Sequence, residues 1–160
     1  MQELPKPWFD LDGYRRTRLL EARYEAELAR RFLDEGLTRN AAGKAYQAWK
    51  ALVAAFAAEN RDKLKDVFKG VVRLRGGNRV INKVDWIIAL MPSNALKRVS
   101  QVIGGDINVY TNLAIMLHQY QYNGPDKQGI LSQYWDDESA KADIVQLLSV
   151  IDRLLREKGI

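Results

Sequence analysis

The sequence predicts an all-α protein, an up-and-down bundle of four to five main helices with short inserted helices in the middle. Three observations predict it. Apolar residues recur at three- and four-residue spacing through most of the 160 residues, the period of a helix with one buried face. Glycine and proline, the strongest breakers, number only eleven and four and fall between the periodic stretches. The hydrophobic fraction of 47% against 28% charged suits a globular chain with one real core. At this length one domain over residues 1–160 is expected, with residues 1–10 as an extended N-terminal arm.

The first helix is expected from about Leu11–Tyr14 to Glu35. Leu19, Ala22, Ala26, Ala29 and Leu33 make its apolar stripe, and Tyr24, Leu28 and Phe32 widen it. Gly36 follows and suits the left-handed C-cap position. A second helix spans about Thr38–Glu59, with nine alanines in positions 41–58, and alanine has the best helix propensity. Two or three residues separate these helices, so they form an antiparallel hairpin. Residues 60–68 predict a short helix. Lys69–Asn82, with Gly70, Gly76, Gly77 and Asn78, reads either as a loop or as a short β-hairpin. Lys83–Met91 reads as a helix stopped by Pro92, and Ser93 or Asn94 as the cap of another that ends at Gly104–Gly105. A helix from Asp106 to Tyr122 stops at Asn123-Gly124-Pro125-Asp126. Asp137 or Ser139 caps a last one to Glu157, with Ile144, Leu147, Leu148, Ile151, Leu154 and Leu155 as its stripe.

Composition excludes much chemistry. Zero Cys rules out disulfides, thiol nucleophiles and Cys-based zinc sites. One His rules out centres that need two or three histidines in one chain. No cofactor and no metal site is expected. No apolar run approaches the ~20 residues of a spanning helix, and the N-terminus lacks a signal-peptide pattern, so no membrane association and a cytoplasmic location are expected.

Two features are left to carry function. The net charge of +5 is uneven: residues 60–98 hold ten Lys/Arg against three Asp/Glu, a net +7, and the remainder sums to −2. Arg73, Arg75, Arg79 and Lys83 lie at the centre of that segment. A basic stripe is the footprint of a phosphate-rich partner, and it is equally the composition of a solvated helix surface. The second feature is His118. Seven residues are almost two helical turns, so Thr111 and His118 share a face, with Tyr122 on the same face and Asn112 flanking it. A His there can act as a general base, or it can be a structural residue near a helix C-terminus, where its cation suits the macrodipole. Asp136-Asp137-Glu138 could hold a cation, but acidic residues are favoured at a helix start without any ligand.

The block LLEARYEAELARRFLDEGLTRNAAGKAYQAWKALVAAFA, followed by LHQYQYNGPD, resembles the archaeal PaREP family of small helical proteins. Those in turn resemble the HEPN superfamily (higher eukaryotes and prokaryotes nucleotide-binding). The resemblance implies a helical bundle that is often dimeric. It also implies one of two roles. One is a non-catalytic module that binds a nucleotide, RNA or a protein, including a nucleotidyltransferase-type partner. The other is a divergent metal-independent endoribonuclease, toxin-like. The superfamily's ribonuclease motif pairs an Arg, followed by a polar residue, with a His two turns on. Here His118 matches the His and Asn112 the polar residue, but Thr111 stands where the Arg belongs. The missing Arg favours the binding module. In the enzymatic alternative, Arg79 or Lys83 would have to reach His118 from the basic segment.

Overall fold

The alanine-rich second helix is the centre of the protein, because small side chains let three neighbours approach it closely. In the computed structural model, which describes residues 4–160, α1 (Leu11–Asp34) and α2 (Thr38–Glu59) form the expected hairpin around Gly36, whose φ is 76°. Against α2 lie α6 (Gly105–Asn123) and α7 (Asp137–Glu157). Lys44 meets Glu25 across α1–α2, Arg39 reaches the end of α6, and Arg153 of α7 bonds Asp106 at the start of α6. These pairings fix an up-down-up-down order. Tyr14, Leu19, Trp49, Leu52, Leu117, Tyr120, Ile144 and Ile151 fill the core, all essentially without exposure.

Helix ends follow local chemistry. The Asp10 carboxylate accepts from the Gly13 N–H at 2.9 Å and starts α1. Asp136 starts α7, accepting from the Ser139 N–H at 2.8 Å and from its hydroxyl at 2.6 Å. This cap lies one residue before Asp137, the earlier of the two expected. Ser93 does not cap its helix either. It is the first residue of α5 (Ser93–Ile103), behind Pro92, and its hydroxyl is 2.8 Å from the Tyr46 hydroxyl. The Asp126 carboxylate accepts backbone N–H groups of Gln128, Ile130 and Leu131. The Leu131 and Gln128 donors, in that order, hold its pKa below the ordinary carboxylate value, and the loop after α6 folds around it.

The middle resolves into α3 (Arg61–Lys65), strands β1 (Val71–Arg73) and β2 (Val80–Asn82), and α4 (Lys83–Leu90). Of the two readings of Lys69–Asn82, the hairpin is the one adopted: β1 pairs with β2 antiparallel, Val72 opposite Ile81. Ile81 turns into the core while Val71, Arg73, Val80 and Asn82 face out. The N-terminal arm is not extended throughout, because Pro7–Phe9 form a turn closed by the Phe9 and Asp10 N–H groups on the Lys6 carbonyl. Residues 1–3 of the expected arm lie outside the described residues.

Two residues of α1 tie α4 into the bundle. The buried Tyr14 hydroxyl donates to the Ile88 carbonyl and accepts from Arg18 Nε at 2.9 Å, while Arg18 also donates to the Ala89 carbonyl at 2.9 Å. Two of the last carbonyls of α4 are thereby satisfied. Tyr14→Phe is expected to lower stability by about 1–3 kcal/mol, because the Ile88 carbonyl loses its partner in a dry place. Urea denaturation should show a lower midpoint with an unchanged slope.

Candidate functional site

The sequence-predicted site residues fall at two ends of the bundle. His118, Tyr122, Thr111 and Asn112 belong to α6, which runs antiparallel to α2. The His118 ring stacks on Tyr46 of α2 with centroids 3.9 Å apart and meets Tyr122 edge-on at 5.2 Å. Two aromatic rings are thus packed against it. Burial, eased by the Ser93 hydrogen bond, pushes the Tyr46 hydroxyl above its usual pKa, so Tyr46 is a neutral platform.

Thr111 is not on that surface. It has 0% exposure. Its hydroxyl donates to the Ile107 carbonyl at 2.7 Å and accepts the Trp49 indole N–H at 2.8 Å. Thr111 shares a helical face with His118, as expected, but α2 covers that face at Trp49 and leaves it partly open only nearer Tyr122. Thr111 therefore cannot touch a ligand in this fold. Asn112 lies exposed beside it. Tyr122 is 67% exposed.

Beside Tyr122 opens a cleft of about 790 Å³ between α1, α2 and α6, lined by Glu25, Phe32, Arg39, Asn40, Gly43, Lys44, Gln47, Gln121 and Tyr122. Arg39 donates to the Gln121 carbonyl through Nε at 3.1 Å and to the Tyr122 carbonyl, holding the C-terminal end of α6. Lys44 Nζ sits 3.2 Å from Glu25 Oε2. A Cβ on Gly43 would come within 2.5 Å of the Gln121 amide. Sequence reasoning missed Glu25, Arg39, Lys44 and Gln121 as neighbours. One signal was present: an isolated glycine in an alanine-rich helix sacrifices about 1 kcal/mol of helix stability and needs a packing reason.

At the other end, the basic segment supplies α3, the β1–β2 hairpin and the start of α4. Lys69, Arg73, Arg75, Arg79 and Lys83 are all exposed, and among the described residues none of them is in a salt bridge. Arg79 lies over the Phe9 ring, its guanidinium carbon 4.6 Å from the centroid, and Phe9 is itself 67% exposed. Trp8 and Arg79 contribute to two adjoining surface clefts there. Arg61 stands apart: it forms a two-pronged pair with the buried Asp85, at 2.7 and 2.9 Å. Lys44 and Glu59, near the two ends of α2, are about 22 Å apart along its axis. Arg79 and Lys83, at the Glu59 end, are not cations for His118. The enzymatic alternative, which needs one of them to reach His118, loses that cation to topology.

The pattern of the archaeal PaREP1/PaREP8 family matches residues 17–145. The chain belongs to this family. No curated protein and no solved structure matches it. The matched stretch of this PaREP1/PaREP8 chain includes both the Glu25–Tyr122 cleft and the basic hairpin. Asp136 and the two acidic residues after it serve the start of α7, and no group of three His, Cys, Asp or Glu that could hold a metal occurs among the described residues. Among those residues, no helix is long and apolar enough to cross a membrane.

Proposed function

We propose that this PaREP1/PaREP8 protein is a non-catalytic nucleic-acid-binding module whose interface is the β1–β2 hairpin. The observation that carries the reading is the set of Lys69, Arg73, Arg75, Arg79 and Lys83, exposed and without ion-pair partners among the described residues, beside the exposed Phe9 that Arg79 covers. Unpaired cations release counterions when they meet phosphates. An exposed aromatic ring next to an arginine is the element on which unpaired bases stack. Single-stranded RNA is the partner this combination suits. The four-helix order agrees with a HEPN-like origin. The burial of Thr111 and the aromatic rings on His118 speak against the ribonuclease alternative, because the position of the motif's arginine is sealed and neither Arg79 nor Lys83 lies at the histidine's end of α2.

Fluorescence anisotropy with a labelled single-stranded oligoribonucleotide tests this. Affinity should fall with salt on a slope of about −3, as expected for roughly four phosphate contacts on a single strand. Arg73→Ala, Arg75→Ala and Arg79→Ala together should weaken binding at least about ten-fold and flatten the slope by about 2. His118→Ala should leave both unchanged. Unaltered binding by the triple variant would refute the interface. Metal-independent cleavage by the natural protein that disappears in His118→Ala would refute the absence of catalysis.

A further inference from the structure

We propose that the cleft between α1, α2 and α6 is a receptor for a small zwitterion with the charge pattern of a free α-amino acid. It lies at the far end of α2 from the hairpin and does not depend on nucleic-acid binding.

Among the described residues, three buried side-chain polar atoms have no hydrogen-bond partner: Glu25 Oε2, His118 Nδ1 and Gln121 Oε1. Buried polar atoms are nearly always paired, and each exception calls for an explanation. Here all three belong to one neighbourhood. Glu25 and Gln121 line the cleft, and His118 lies one helical turn from its Tyr122 wall. Lys44 Nζ is 3.2 Å from Glu25 Oε2 but out of line for a hydrogen bond, so the two attract without satisfying the oxygen. Gly43 sets where the cleft wall lies, because the Gln121 amide packs into the space a Cβ would take. Any side chain there would displace the Gln121 amide, the group that brings one of the unpaired oxygens to the wall.

The unpaired atoms set the chemistry of the occupant. Two of the three are oxygens that only accept, so the ligand must donate. The strongest donor for a carboxylate is a charged N–H group. An ammonium that takes the place of Lys44 Nζ on Glu25 Oε2 meets that need, with Gln121 Oε1 on the same cleft wall. A cation alone would face Lys44 and Arg39 and bring a surplus positive charge. An anion alone would leave the Glu25 oxygen unpaired. A ligand carrying both charges adds no net charge: its ammonium replaces Lys44 on Glu25, and its carboxylate takes the donors that Lys44 then has free. Asn40, Gln47 and Tyr122 remain along the wall for the ligand's own side chain. The volume of about 790 Å³ is within the range of small-ligand clefts.

The test is thermal unfolding of the full chain with each standard L-amino acid at millimolar concentration, alongside its N-acetyl and carboxamide derivatives. Hits are followed by calorimetric titration. At least one free amino acid should raise the melting temperature in a concentration-dependent way. Its N-acetyl and carboxamide forms, each lacking one charge, should not. Glu25→Gln and Lys44→Gln should each abolish the response, with circular dichroism confirming that the variants fold. Gly43→Ala, which pushes on Gln121, should weaken the hit at least about ten-fold. No response to any free amino acid would overturn the proposal. So would equal responses to the singly charged derivatives, which need no variant to interpret.

Discussion

Thr111→Arg is expected to unfold the protein instead of turning it into a ribonuclease. By sequence alone, restoring the arginine two turns before His118 looks like a repair. In the fold, Thr111 has 0% exposure, and its hydroxyl serves both the Ile107 carbonyl and the Trp49 indole. An arginine there buries a charge with no partner, an effective penalty of several kcal/mol. It also strands the buried Trp49 N–H, for about 1–3 kcal/mol more. Together these match or exceed much of the roughly 5–15 kcal/mol that holds an ordinary domain together. Far-UV circular dichroism and urea denaturation are the measurements. Thr111→Val is the mild counterpart, expected to lose about 1–3 kcal/mol through the indole alone. A folded Thr111→Arg protein that cleaves RNA would mean that α6 can turn this position outward.

The second large effect is expected at the opposite end. Arg61→Ala should destabilise by about 3–5 kcal/mol, the usual consequence of removing one partner of a buried pair. Asp85 is only 4% exposed, and both its oxygens are held by Arg61. The hydrogen bonds to Asp85 also raise the pKa of the guanidinium, so Arg61 keeps its charge throughout the working pH range. It ties α3 to α4, with the hairpin between them. Hydrogen exchange should therefore rise first in β1, β2 and α4, and RNA affinity should fall with it. The double variant Arg61→Ala/Asp85→Ala should recover part of the lost stability, because the stranded carboxylate is then gone. A double variant no more stable than Arg61→Ala alone would show that packing, not charge, dominates at this point.

Much of the fold was legible because helix signals are local. The bounds of α2, Thr38–Glu59, matched the expectation, since alanine content, the turn at Gly36 and the break at Asn60 are all readable within a few residues. The left-handed Gly36 and the paired Gly104 and Gly105, at φ 81° and 57°, fell where termination was expected. Caps were less legible. Asp136, Asp137 and Ser139 are all acceptable at a helix start, and the choice depends on which backbone turns extended. Ser93 was diverted by Tyr46, a residue far away in the chain.

The site was legible only in pieces. The basic segment and His118 could be found by counting residues. That they lie at opposite ends of α2 could not, because this requires knowing how α4 and α6 pack.

By itself, the sequence determined the helical class, the boundaries of the long helices to within a residue or two, the basic middle segment and the two blocks that resemble the family; the short helix expected over 60–68 ends three residues early, at Lys65. These rest on periodicity, propensity and charge, which act over a few neighbours. Only the tertiary structure decided which of the residues sharing a face on α6 is sealed and which is open. It put Thr111 under Trp49 and His118 against Tyr46, and it closed Glu25, Lys44 and Gln121 around Gly43. The physical reason is that a helical face has no intrinsic environment: what covers it comes from α1 and α2, some sixty to ninety-five residues away in the chain.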